Sequence, residues 1–185
     1  MTDPAGNMET HKLIPELERD LGLTFDRERL LGGKRFRCAY LRSDPGEELL
    51  QRAIEVLGER CLDYVDECTV LVGAEGDDPY AVYVGPKINP LELLAPFSVG
   101  THNESLNEHE QTISTMTEIY QTVPFVAYFA DAAGYRVRFL SDVTDEQAER
   151  FEEQLIELCP DAIELHEGEV AETVMQHRRL ILWWD

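Results

Sequence analysis

Cationic charge is scarce in this chain: 16 lysines and arginines stand against 37 aspartates and glutamates in 185 residues, a net charge of −21. Between Ile88 and Tyr135 there is no lysine or arginine at all. Nucleic-acid phosphates would be repelled by such a surface, so no nucleic-acid partner is expected. Long apolar runs are also missing. None approaches the roughly 20 residues of a membrane span, and the longest, such as Phe125 to Ala130, suit buried strands, so no membrane partner is expected. Met1 to Glu9 has neither a basic start nor an apolar core, which argues against a secretory signal. The four cysteines show no CxxC spacing, and the nearest pair, Cys61 and Cys68, is seven apart. Buried thiols in a reducing cytoplasm are expected, with no metal site. A P-loop, a dinucleotide fingerprint and a nucleophile elbow are all absent. No set of residues assembles an acid, a base and a nucleophile, so no cofactor and no catalytic residue are expected.

What is present reads as a globular chain. A domain of this size buries about 70% of its unfolded surface and needs no disulfide to fold. Helix caps are legible. Asp44-Pro45 followed by Glu47 starts a helix with Leu50, Ala53, Ile54 and Leu57 as its stripe, and Gly58 is expected to end it. Thr144 with Gln147 caps a second, striped by Ala148, Phe151, Leu155 and Leu158. Asn107 with Glu110 opens a third through Ile113, Met116 and Tyr120, and a short one follows Asn89-Pro90, with Leu91, Leu94 and Phe97 inward. Weaker helical patterns cover Ile14–Leu21 and Glu169–Gln176. Strands lie between them. Arg35–Leu41 and Tyr135–Leu140 alternate, whereas Thr69–Val72, Tyr80–Val84, Phe125–Ala130 and Leu180–Trp184 are continuous apolar runs that suit strands buried on both faces. The mixture predicts an α/β or α+β fold, a mixed β-sheet flanked by helices. FRCAYLRSDPGEE (Phe36 to Glu48) and YRVRFLSDVTDEQ (Tyr135 to Gln147) echo each other, which raises two pseudo-repeated β-α-β halves as an expectation.

Four strings carry a family resemblance. They are NPLELL from Asn89, VGTHNESLNEHEQTISTM from Val99, ELCPDAIEL from Glu157, and the closing RRLILWWD. In this order they resemble a bacterial family known as domain of unknown function 4253. The likeness implies a family domain over residues 89–185 and a bacterial origin; residues 1–88 are expected to form an N-terminal α/β extension integrated in the same sheet. The family has no assigned activity, so the likeness implies no mechanism. This chain departs from the pattern twice. Glu104-Ser105-Leu106-Asn107-Glu108 stands where the family turn continues with an Asn-Tyr pair and a Thr-Glu-Asp helix start. Arg138-Phe139-Leu140 stands where a Trp follows the family's second central strand.

Three groups of residues are candidates for a site. Gly100-Thr101-His102-Asn103 forms a loop between two capped helices that gathers backbone amides, a hydroxyl, an imidazole and an amide, against the plainer reading of a polar turn. Trp183 and Trp184, beside Asp185, are strand neighbours that face opposite sides of the sheet. Two core tryptophans are expected; the alternative leaves one at a surface groove as a binding hot spot. Arg35, Arg37, Arg136 and Arg138 would share a sheet face, as surface ion pairs or as a local anion patch. Two functional readings follow. The first is a non-enzymatic acidic interaction module for a basic protein partner, such as a toxin-immunity protein. The alternative is a small-molecule-binding domain or an enzyme that uses the 100–103 loop.

Overall fold

The computed structural model describes residues 6–41, 46–76, 78–100, 106–160 and 170–184. Their strands form one mixed seven-stranded sheet, and five described helices flank it, an α+β arrangement. The strands are β1 (Arg27–Leu31), β2 (Lys34–Tyr40), β3 (Cys68–Gly73), β4 (Ala81–Pro86), β5 (Phe125–Ala130), β6 (Gly134–Phe139) and β7 (Arg179–Trp183). The helices are α1 (Gly6–Leu21), α2 (Gly46–Arg60), α3 (Leu106–Thr122), α4 (Asp145–Leu158) and α5 (Val170–His177). The sheet order is β1-β2-β4-β3-β5-β6-β7. Every neighbouring pair is antiparallel except β3 and β5, whose register holds only Val72↔Phe129 and Gly73↔Ala130. That short parallel seam joins the four strands before Ile88 to the three after it.

The two faces of the sheet are covered unequally. Phe36, Tyr83, Phe125, Tyr135, Phe139 and Leu182 point to one face, where α3, α4, α5 and a 3-10 turn at Pro90–Leu93 close the core. Val70, Val72, Val82, Val84 and Tyr128 point to the other, covered by α1 and α2 alone. A helix about 10 Å wide spans about two strands spaced 4.8 Å apart, so two helices cover about four strands. They lie on β4, β3 and β5, and β6–β7 stay partly open on that face.

Local chemistry explains most of the elements. Thr144 and Gln147 form a reciprocal capping box at the start of α4, and Ala148, Phe151, Leu155 and Leu158 are its buried stripe. The 3-10 turn uses the same device through Asn89 and Glu92. Other expectations are corrected. Gly58 does not stop α2, which runs to Arg60. Gly58 instead brings the helix against the Tyr128 ring, which a Cβ there would approach to 3.0 Å. Ile113 is exposed, and α3 buries Thr112, Met116 and Ile119 in its place. β7 is an edge strand with alternating burial, not a strand covered on both faces. The two echoing segments are not equivalent halves. The segment from β2 through α2 leads to β3, which lies two places from β2 and parallel to it. The segment from β6 through α4 and α5 leads to an antiparallel neighbour, and α2 and α4 occupy opposite faces. The Asp44-Pro45 cap lies outside the described residues.

On its outward side α4 carries Glu146, Glu149, Glu153 and Glu157 at spacings that stack them in one line, all exposed. Like charges at these spacings repel. Glu153→Lys should therefore raise stability by about 0.5–1 kcal/mol, from two repulsive pairs turned attractive. Urea denaturation at low and high salt checks this, because added salt should erase most of the gain.

Candidate functional site

A β-bulge prepares the open part of the sheet. The β5–β6 register shifts between Ala127 and Phe129, so Tyr128 is an extra residue. Tyr128 and Phe129 consequently both face the α1–α2 side, although they are adjacent. Tyr128 fills the space under α2. Phe129 lies further out, where Tyr80 stacks on it at 6.0 Å between ring centroids. Across the strand pair, the Arg136 guanidinium lies 5.4 Å from the centre of the Phe129 ring, a cation–π geometry. Trp183 completes the floor. It pairs with Gly134 across β6–β7, where a Cβ would come within 3.1 Å of the indole and 2.9 Å of the Phe129 ring. The wall opposite is α2, where Glu47, Glu48 and Glu55 outnumber the single cation Arg52. Floor and wall enclose a groove of about 540 Å³.

The turn at the end of the groove is tied in three directions. Asp131 accepts hydrogen bonds from the Tyr80 hydroxyl at 2.5 Å and from the Ala133 amide at 3.0 Å. The Gly100 amide donates to Ala132 O, and the Trp184 amide donates to Ala133 O. Gly100 and Trp184 thus meet the same turn. Gly100 has φ +74°, and a Cβ there would come within 2.4 Å of the Thr112 hydroxyl, so only glycine fits. The His109 ring nitrogen contacts Val99 O at 2.7 Å beside it. Thr101, His102, Asn103 and Asp185 lie outside the described residues.

The two tryptophans part company. Trp184 is 5% exposed and donates through its indole to Leu158 O. Trp183 is half-buried, facing the groove. The expectation of two core tryptophans is corrected to one, because β7 is an edge strand whose Trp183 side α2 does not cover.

The four arginines share a face but do not meet, since β4, β3 and β5 lie between β2 and β6. Arg35 pairs with Glu28 at 3.5 Å, in solvent. Arg37 donates to Phe25 O. Arg138 donates to Gly58 O at 2.7 Å and Glu59 O at 3.2 Å, and Arg179, its cross-strand neighbour, also reaches Gly58 O. These two cations cap the C-terminus of α2, where carbonyls lack helical donors and the dipole is negative. Cross-strand like charges normally repel; here the shared carbonyl acceptor sits between them. Arg136 lies over the Phe129 ring instead. Its Nε is shielded from solvent without a hydrogen-bond partner among the described residues. Among those residues no cluster of His, Cys, Asp or Glu could hold a metal ion, and no helix is long and apolar enough to cross a membrane.

Burial pushes the Asp131 carboxyl above the usual carboxylate range, against the opposing pull of the Tyr80 hydrogen bond. Burial, then the bond to Asp131, pushes the Tyr80 phenol up. Because the folded-state pKa of Asp131 lies above the unfolded value, this group subtracts stability as pH rises through its titration. The Tyr80 hydroxyl offsets that loss by donating to the charged form. Tyr80→Phe should thus cost about 1–3 kcal/mol at neutral pH. The deficit should narrow as pH falls and Asp131 takes up its proton; a deficit independent of pH would assign Tyr80 a packing role alone. Arg138→Met should cost about 1.5–3 kcal/mol through lost charge-assisted bonds. Arg35→Met should stay within about 0.5 kcal/mol. Chemical denaturation of the two variants separates capping from surface pairing.

No family model, curated protein or solved structure matches the chain.

Proposed function

We propose that the chain is a non-catalytic binding module that receives a basic segment of another protein in the groove between α2 and β6–β7. The composition of the groove carries this reading. Trp183, Tyr80 and Arg136 belong to the three residue types most enriched in binding hot spots, and they share one concave surface. Glu47, Glu48 and Glu55 face them, and a net charge of −21 would steer a cationic partner toward the molecule. An immunity protein that covers a basic toxin is the kind of module meant, working in a bacterial cytoplasm where its four buried thiols stay reduced. The likeness to domain of unknown function 4253 belongs to the same reading, since its closing Trp-Trp-Asp string supplies Trp183 to the groove.

The test is capture from the host cell by the native chain, by Trp183→Ala and by Ile156→Ala on the opposite face. A basic partner should be held by the native chain and by Ile156→Ala. Truncating a hot-spot tryptophan costs about 2 kcal/mol or more, so Trp183→Ala should weaken capture about 30-fold. Equal retention by Trp183→Ala, or a partner that is acidic, overturns the reading.

A further inference from the structure

The parallel seam leaves a second cavity, on the far side of the bulge from the groove. β3 and β5 touch at Val72–Gly73 and Phe129–Ala130 and then separate toward their N-terminal ends. A cavity of about 320 Å³ occupies the gap. Its walls include Thr69 and Val70 from β3 and Phe125 and Val126 from β5. Successive strand residues point to opposite faces, so residues of both parities can line one space only if it runs between the strand edges, through the plane of the sheet. The interior is apolar, with Leu93 and the edge-to-face pair Tyr120–Phe125 (ring centroids 5.1 Å apart) on one side.

The mouth has the opposite chemistry. Lys34 and Lys87 both line it, two of the three lysines in the chain. Lys34 Nζ donates to the Lys87 backbone carbonyl at 2.9 Å, which fixes the Lys34 ammonium beside the Lys87 main chain and leaves its further donors unused. Among the described residues the carboxylate paired with these lysines is Asp66, 3.6 Å from Lys87 and 94% exposed, a pair worth little in water. Leu140, 40% exposed, forms an apolar lip beside them. In a protein of net charge −21, an apolar pocket with a doubly cationic mouth is a local reversal of sign.

We infer that the β3–β5 cavity binds a small amphipathic anion, its carboxylate at Lys34 and Lys87 and its apolar tail between the strands. At about 30 Å³ per water-sized unit, the space holds about ten non-hydrogen atoms, the size of octanoate. This site is separate from the protein-binding groove and does not depend on it.

Octanoate, octanol and octylammonium, titrated calorimetrically into the full-length protein, test the inference. Affinity should fall in that order, although the overall charge of the protein alone favours the cation. Lys34→Gln and Lys87→Gln should each weaken octanoate by about two- to fivefold and leave octanol unchanged. A thiol footprint locates the ligand. Cys61 and Cys68 line the cavity, whereas Cys38 and Cys159 do not. Burial holds the Cys61 thiol up to about 11, so alkylation is slow enough to follow. Octanoate should slow alkylation at Cys61 and Cys68 only. Slowing of all four thiols alike, octylammonium binding as tightly as octanoate, or lysine variants with native octanoate affinity would each overturn the site.

Discussion

The Asp131 carboxyl lies desolvated in the tight turn that joins β5 to β6, and distant parts of the chain are fastened to that turn. Its own oxygens take the Tyr80 hydroxyl and the Ala133 amide. The neighbouring carbonyls take the amides of Gly100 and Trp184. A buried carboxylate is costly unless hydrogen-bonded, so the geometry of this turn is strongly constrained. The constraint sets the height of Tyr80 against Phe129, the seating of Trp184 in the core, and by strand alternation the outward placement of Trp183. The groove is thus a consequence of a buried polar network more than of the apolar core.

A second constraint is geometric. Two helices on one face of a seven-stranded sheet leave strands uncovered, here the edge strand β1 on one side and β6 and β7 on the other. The chain meets the exposure with long amphipathic side chains. Arg138 and Arg179 lie along the sheet and spend their charge on the end of α2, and Arg136 spreads over Phe129. The opposite face, with three helices and a 3-10 turn, is closed. Its surplus carboxylates face solvent along α4. Negative charge is therefore spread over the molecule, while Trp183, Tyr80 and Phe129 gather in one groove.

Much of the layered fold was legible because the caps and apolar runs act locally. Thr144 with Gln147 announces α4 by hydrogen bonds within four residues, and Asn89-Pro90 marks the start of the short turn after β4. What stayed hidden depends on contacts between elements. The bulge at Tyr128 leaves no mark in FVAYFA, since every residue of that run is apolar whichever face it takes. β1, with the pattern RERLL exposed at four of five positions, has no apolar period to read. Gly58 looks like a stop until the Tyr128 ring is placed against it. The arginines of β2 and β6 were readable as sharing a face, but the order β2-β4-β3-β5-β6 that separates them is not a local property. For the site, Trp183 was named from the sequence. Tyr80, Phe129 and the acidic wall of α2 were not, because only the sheet order brings them to it.

The central claim is that a basic segment binds in the groove and not at any acidic surface. The most direct measurement is a nitrogen-15 NMR titration of the full-length protein with a short arginine- and lysine-rich peptide, following the two indole N–H signals and the glutamate amides. The account predicts that the Trp183 indole and the amides of Glu47, Glu48 and Glu55 shift together while the Trp184 indole stays fixed. Shifts concentrated on Glu146, Glu149, Glu153 and Glu157 of α4, with Trp183 unmoved, would contradict it.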